Sequence, residues 1–236
     1  MAAHFENILF VIPARGGSKG IPGKNIKELA GKILIHYSIE LARHFVSDEH
    51  ICVSTDDKKI IEAVESINLK VPFVRPDHLA TDSAGSYEVL LHAVEYYKSK
   101  GINYEIMVLL QPTSPFRRRE QVKDALLQYT AQIDMVVSVE KSYWNPYYNL
   151  FEEDSNGYLK LSKSSSIRRR QDCPDVYSYN GAIYIVNIKS LMMNPLYKFE
   201  KVKKFEMDRL SSIDLDSPID WEWAEYLLNT NRIKFT

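Results

Sequence analysis

The chain has 236 residues, enough for one well-buried core with a small appendage. Its 30 Lys and Arg against 31 Asp and Glu leave a net charge of −1, which excludes an overall electrostatic footprint for nucleic acid or an anionic membrane and makes any basic function local. Two cysteines, Cys52 and Cys173, neither in a C-x-x-C pair, exclude a disulfide framework and a cysteine metal site.

The first predicted element is a strand, Ile8 to Ile12, stopped by Pro13. The loop after it carries Gly16, Gly17, Gly20 and Gly23 interleaved with Arg15, Lys19 and Lys24, so four of the nine glycines stand in one place. Glycine lets backbone N–H groups converge on an anion, and the cations point to a polyphosphate. A glycine-rich loop after a buried strand is also where open α/β sheets bind ligands. It is not a Walker A loop, because Ser18 stands five residues before Gly23 and Asn25 replaces the hydroxyl. Nor is it G-x-G-x-x-G, because Gly16 is followed by Gly17 and Ser18. A surface loop with solvated charges is the alternative.

Leu34, Tyr37, Leu41 and Phe45 predict a helix over Lys32 to Val46. Ile51 to Ser54 reads as a strand with Cys52 an inert core residue, and Thr55-Asp56-Asp57 starts a helix over Lys58 to Ile67. Leu69 to Arg75 predicts a third strand, irregular at Pro72. Tyr87 to Ser99 is a helix, and Ile106 to Leu110 is apolar enough for the centre of a parallel sheet. Gln111-Pro112-Thr113-Ser114-Pro115 then forms a rigid loop on the rim of the glycine loop. Glu120 to Gln132 is a helix and Met135 to Val139 a strand. From Lys141 to Tyr179 the helical period disappears; Trp144, Tyr147, Tyr148 and Phe151 cluster, and Asn156-Gly157 signals a hairpin. This excursion suits either a partner subunit or a solvated flap. Ala182 to Asn187 returns as a strand, and a helix near Pro218 to Asn229 closes the chain. No apolar run is long enough to span a bilayer, and Ile8 to Ile12 lacks the flanks of a secretory signal, so a soluble cytoplasmic protein is expected.

Asp214 and Asp216 lie two apart in a predicted extended segment, so both carboxylates face one way. That arrangement suits Mg²⁺, which takes one or two carboxylates plus substrate phosphates; a helix-capping role for Asp216 is equally open. The runs Arg117-Arg118-Arg119 and Arg168-Arg169-Arg170 read first as solvated faces, although Arg also matches phosphate or carboxylate. The residues alone point to a Mg²⁺-assisted phosphoryl or nucleotidyl transferase without a covalent intermediate.

The blocks IPARGGSKGIPGKN (Ile12 to Asn25), RPDHLATDSAGS (Arg75 to Ser86), QPTSP (Gln111 to Pro115), Arg169 to Ile185 and SIDLD (Ser212 to Asp216) resemble, in this order, the acylneuraminate cytidylyltransferase (CMP-sialic acid synthetase) family over nearly the whole chain. The resemblance implies a three-layer, Rossmann-like α/β nucleotidyltransferase fold with a mainly parallel sheet. It divides the chain into a nucleotide-binding core over 1–140, an inserted β-rich dimerisation arm over 141–179 and a return to the core over 180–236. It implies transfer of CMP from CTP to the anomeric hydroxyl of a nine-carbon α-keto acid sugar, with Mg²⁺ and release of pyrophosphate. By similarity Arg15, Ser18, Lys19, Lys24 and Asn25 hold the triphosphate, and Arg75, Ala84 and Ser86 read cytosine. Gln111, Arg170, Asn180 and Tyr184 surround the sugar, and Asp214 and Asp216 hold the metal. The arm implies a homodimer in which it reaches the neighbouring site. One departure stands out: Trp144-Asn145-Pro146-Tyr147-Tyr148 replaces the His-His-Pro and Lys of well-known sialic acid enzymes and looks like the branch that includes legionaminic acid enzymes. The expected sugar is therefore of sialic acid, KDN, legionaminic or pseudaminic type. The alternatives are a KDO-type cytidylyltransferase, against which the QPTSP loop speaks, and a non-catalytic sugar-nucleotide-binding protein on the same fold.

Overall fold

The computed structural model describes residues 7–81 and 85–233. Its centre is β1 (Ile8–Pro13), whose side chains alternate between two apolar layers: Ile8, Phe10 and Ile12 face one, Leu9 and Val11 the other. A strand buried on both faces must lie mid-sheet, and β1 is flanked by parallel neighbours on both sides, β4 (Ile51–Ser54) and β5 (Ile106–Leu109). Between β1 and β4 lie a short hairpin, β2 (Glu28–Leu29) with β3 (Lys32–Ile33), and helix α1 (Leu34–Arg43).

Beyond β5 the sheet continues through β9 (Tyr177–Asn187), β6 (Met135–Lys141) and β10 (Val202–Glu206), in the order β10-β6-β9-β5-β1-β4. β9 runs antiparallel to both β5 and β6, whereas β10 and β6 are parallel. α1, α2 (Lys58–Glu65) and α4 (Arg119–Leu126) cover one face through Ile35, Ile39, Ile60, Val64, Val122 and Ala125. α3 (Ser86–Ser99) and α5 (Ile188–Met193) cover the other through Leu90, Ala93, Val94, Ile188 and Leu191. The result is a three-layer α/β sandwich with a mostly parallel sheet. A third apolar cluster lies beside the glycine loop, where Trp221 and Ala224 of α6 (Pro218–Asn229) pack with Ile21, Leu29, Leu34, Phe116 and Leu215.

Leu69 to Arg75 does not form the expected strand. Pro72 has no N–H to give a ladder, and pairing is reduced to one parallel bridge between Thr55 and Val74, with Arg75 N donating to Thr55 O at 2.7 Å. The helix expected from Lys32 begins at Leu34, because Ala30 and Gly31 turn at φ 51° and 77° and commit Lys32 and Ile33 to the hairpin. The Asn156-Gly157 hairpin forms between β7 (Phe151–Glu153) and β8 (Leu159–Leu161), with Gly157 at φ 81°. It projects past the β6–β9 ladder, which pairs Lys141 with Tyr177. Cys52 is fully buried, and desolvation pushes its thiol up to about 12, so it is inert.

Candidate active site

The carboxyl ends of β1 and β5 open into a cavity of about 460 Å³. Arg15, Ser18, Lys19, Lys24 and Asn25 line one wall, Arg75 and Ser86 a second, and Gln111, Thr113 and Asp216 a third. Nine residues singled out in the sequence thus share one space, although they come from segments up to two hundred positions apart. Ala84 lies outside the described residues.

The glycine loop is closed on itself and against the end of the chain. Asn25 Nδ2 donates to Arg15 O at 3.1 Å, Gly16 N donates to Asp56 Oδ1 at 3.0 Å, and Gly23 turns at φ 64°. Gly20 is pressed onto the Asp216 backbone: a Cβ there would lie 2.0 Å from the Asp216 carbonyl oxygen. Lys24 crosses the same seam, its Nζ donating to Leu215 O at 2.7 Å and to Asp216 Oδ1 at 2.9 Å. The Lys24 side chain is 10% exposed and that of Asp216 73%, so the ammonium is buried at the root of the cavity and the carboxylate stands in it.

The capping question has a clear geometric answer. Ser217 caps α6, its Oγ accepting from Asp220 N while the Asp220 carboxylate accepts from Ser217 N, with Pro218 in the first turn. Asp216 is therefore free of that duty. Its neighbour Asp214 is largely buried and its Oδ1 has no hydrogen-bond partner. Burial raises the Asp214 pKa to about 6; the hydrogen bond from Thr113 opposes that rise, the charge of Asp216 adds to it and Lys24 opposes it. A buried carboxylate oxygen without a donor, beside a second carboxylate, fits a hard divalent cation. Among the described residues no group of three His, Cys, Asp or Glu assembles, so these two carboxylates would share such an ion with substrate oxygens.

Gln111 lines the cavity, while Tyr184 and Asp214 lie behind its wall, close enough for the charge of Asp214 to act on Tyr184. A Cβ on Gly181 would lie 3.0 Å from Gln111 Oε1 and 3.7 Å from Asp214 Oδ2, so glycine, at φ 73°, keeps the space between them open. Tyr184 is raised in pKa by burial first and then by the charges of Tyr179 and Asp214. Asn180 stands differently: its Oδ1 accepts from Ser138 Oγ and Ala182 N, and its Nδ2 donates to Ser212 Oγ at 2.9 Å and to Met207 Sδ. Its amide is spent inside the fold, where it pins the segment leading to Asp214. Arg75 likewise turns inward, its guanidinium donating to Ser54 Oγ and Ser54 O. Arg170 lies outside the cavity, on the arm, 4.1 Å over the Tyr143 ring in a separate cleft lined by Lys141, Asn145 and Asp175.

Three contributors escaped the sequence reading. Asp56 belongs by sequence to a helix start, yet it holds Gly16 N, while Asp57 caps α2 through Lys59 N. Thr113 joins the rim loop to the aspartate segment, its carbonyl accepting from Leu215 N at 2.8 Å. Arg117 was part of a basic run read first as solvated, but it is 5% exposed beside exposed Arg119. Its guanidinium donates to the carbonyls of Gln111 and Ser114, and burial pulls its pKa down to about 9 against the opposing charge of Asp214.

Residues 9–232 match the cytidylyltransferase family. A CMP-N,N'-diacetyllegionaminic acid synthase of Legionella pneumophila is 34% identical over 95% of this chain and 97% of its own. An N-acylneuraminate cytidylyltransferase of Escherichia coli O18:K1:H7 is also 34% identical, over 92% of this chain and 51% of its own. In fold, the solved structure of a CMP:2-keto-3-deoxy-manno-octonic acid synthetase complexed with CTP superposes with TM-score 0.68 over 95% of this chain and 99% of that one, at 19% identity. With the glycine loop and the aspartate segment meeting in one cavity and the match running almost from end to end, the chain belongs to the cytidylyltransferase family.

Proposed function

We propose that the chain transfers CMP from CTP to the anomeric hydroxyl of a nine-carbon α-keto acid sugar and releases pyrophosphate. The observation that carries this reading is the seam at which Lys24 meets Asp216: the glycine loop and the aspartate segment are held against each other at one cavity. Relatives matched over nearly their whole length are named for legionaminic acid, at 34% and 31% identity, and for pseudaminic acid, at 30%; the Asn145-Pro146-Tyr147 arm inclines this reading to a legionaminic-type acid among the nine-carbon sugars.

In this reading Arg15, Ser18, Lys19, Lys24 and Asn25 hold the triphosphate. The Lys24 ammonium, already aimed by Leu215 O and Asp216, meets phosphate oxygens and offsets the charge that develops on the departing pyrophosphate. Arg75 and Ser86 form the cytosine end, to which the resemblance also assigns Ala84; Ser86 opens α3, whose N-terminus faces the cavity. Gln111 and Tyr184 orient the sugar, and Asn180 acts through Ser212 by fixing the aspartate segment. Asp214 and Asp216 would hold Mg²⁺, which when bound supplies positive charge to the α-phosphate. The segment 141–179 is the dimerisation arm: Tyr143, Trp144, Phe151, Tyr158 and Leu159 are exposed along it, and a neighbouring subunit would cover them and bring Arg170 to a sugar carboxylate.

Pyrophosphate release measured with CTP and each nine-carbon acid tests the assignment. Binding of CTP without release from any of them would favour a non-catalytic sugar-nucleotide protein, and release with KDO alone would favour the eight-carbon reading.

A further inference from the structure

We propose that Arg117 is the positioning residue of the sugar half of the site, its buried guanidinium locking the loop from Gln111 to Arg117 against the segment that carries Asp214. The inference rests on the functional reading above and adds a residue that does not itself line the cavity but holds the backbone of one that does, Gln111.

Arg117 Nη1 donates to Gln111 O at 2.7 Å and to Ser114 O at 2.6 Å, and Nη2 donates to Ser38 Oγ on α1. One planar fork thus ties both ends of the loop turn to a core helix, a geometry that a flexible ammonium does not reproduce. The loop in turn holds the aspartate segment through Leu215 N to Thr113 O at 2.8 Å. Gln111 Oε1, Ser114 Oγ and Asp214 Oδ2 converge within 3.0 to 3.7 Å of the point where Gly181 lacks a Cβ. Three of the four buried polar side-chain atoms without a partner among the described residues, Ser114 Oγ, Arg117 Nε and Asp214 Oδ1, belong to these two segments. The hydrogen-bonding capacity left over inside the fold is concentrated behind the sugar half.

Stability alone does not call for a charge here, since an apolar side chain of similar volume often serves a buried position as well as an ion does. The bonds of Arg117 go to Gln111, Ser114 and Ser38 and reach the nucleotide wall only at second hand, because Leu215, tied to Thr113, also accepts from Lys24, whereas Asn25 is fixed by Arg15 and Arg75 by Ser54. Loss of the fork should therefore loosen the sugar half more than the nucleotide half.

The test uses R117K and the neutral R117M in the full chain, with hydrogen exchange, CTP affinity by calorimetry without sugar, and steady-state kinetics. In at least one folded variant the amides of Ser114 and Leu215 should exchange at least about tenfold faster while those of β1 keep their protection. The KM for the keto acid should rise, or kcat fall, by about tenfold or more, with CTP affinity within about threefold of the parent. Exchange and sugar kinetics within about threefold of the parent in every folded variant would overturn the proposal, as would CTP affinity falling in parallel or failure of both variants to fold even with CTP. A parent enzyme that releases no pyrophosphate with any nine-carbon acid would instead refute the functional reading, leaving amide exchange to decide the role of Arg117.

Discussion

Replacing Gly20 with alanine should damage catalysis far more than stability. The added Cβ would lie 2.0 Å from the Asp216 carbonyl oxygen, and side-chain carbons essentially never approach within 3.0 Å of such an atom. Loop and aspartate segment must separate by about 1 Å, which stretches the Lys24 bonds to Leu215 O and Asp216, now 2.7 and 2.9 Å, to about 3.7–3.9 Å, beyond hydrogen-bonding range. A displacement of about 1 Å in positioned groups can cost about 100-fold in rate, or ~2.7 kcal/mol of barrier. The assay is kcat/KM for CTP with thermal unfolding alongside. Gly31→Ala is the control, since Gly31 turns at φ 77° with nothing within 4 Å of an added Cβ. That change should cost about 1 kcal/mol of stability through backbone strain and leave kinetics alone. Gly20→Ala kinetics within about threefold of the parent would refute the idea that the seam positions the site.

Lys24→Met should raise the KM for CTP by about tenfold or more, because it removes a charge aimed at phosphate, and unchanged CTP kinetics would make the opening loop structural. Asp216→Asn should abolish measurable turnover while the thermal transition stays cooperative; activity within a few-fold of the parent would remove the metal assignment. Asp214→Asn should also be inactive, and it should change the pH dependence of stability in metal-free protein. Folding raises the Asp214 pKa to about 6, above the ~3.9 of an unfolded chain, so its contribution is present below the lower value and lost as pH rises through the upper one. The variant should therefore gain on the parent between pH 4 and 7 in EDTA, by roughly 2–4 °C for each ~1 kcal/mol; a melting-temperature difference flat across that range would contradict it.

Much of the site was legible because local patterns encode it. Ile8 to Ile12 is apolar at every position and is buried on both faces, so the glycine loop could be placed at a strand end from sequence alone. Asp214 and Asp216, two apart before a Ser-Pro helix start, meet in space, and Ser217 takes the cap. What local pattern does not encode is burial imposed by distant segments. Arg117 belongs to a charged triplet, and only the carbonyls of Gln111 and Ser114 and the Ser38 hydroxyl make its burial tolerable. Asn180 was expected to face the sugar, but its bonds to Ser138 and Ser212 depend on two separate strand and loop positions. Leu69 to Arg75 had strand composition, yet pairing depends on a neighbour's ladder, which Pro72 interrupts.

The central claim is tested most directly by pyrophosphate release with each of the four nucleoside triphosphates against N-acetylneuraminic, KDN, legionaminic, pseudaminic and KDO acids. Release should require CTP together with a nine-carbon acid, fastest with a legionaminic-type sugar. Equal release with another nucleotide, or none with any nine-carbon acid, would contradict it.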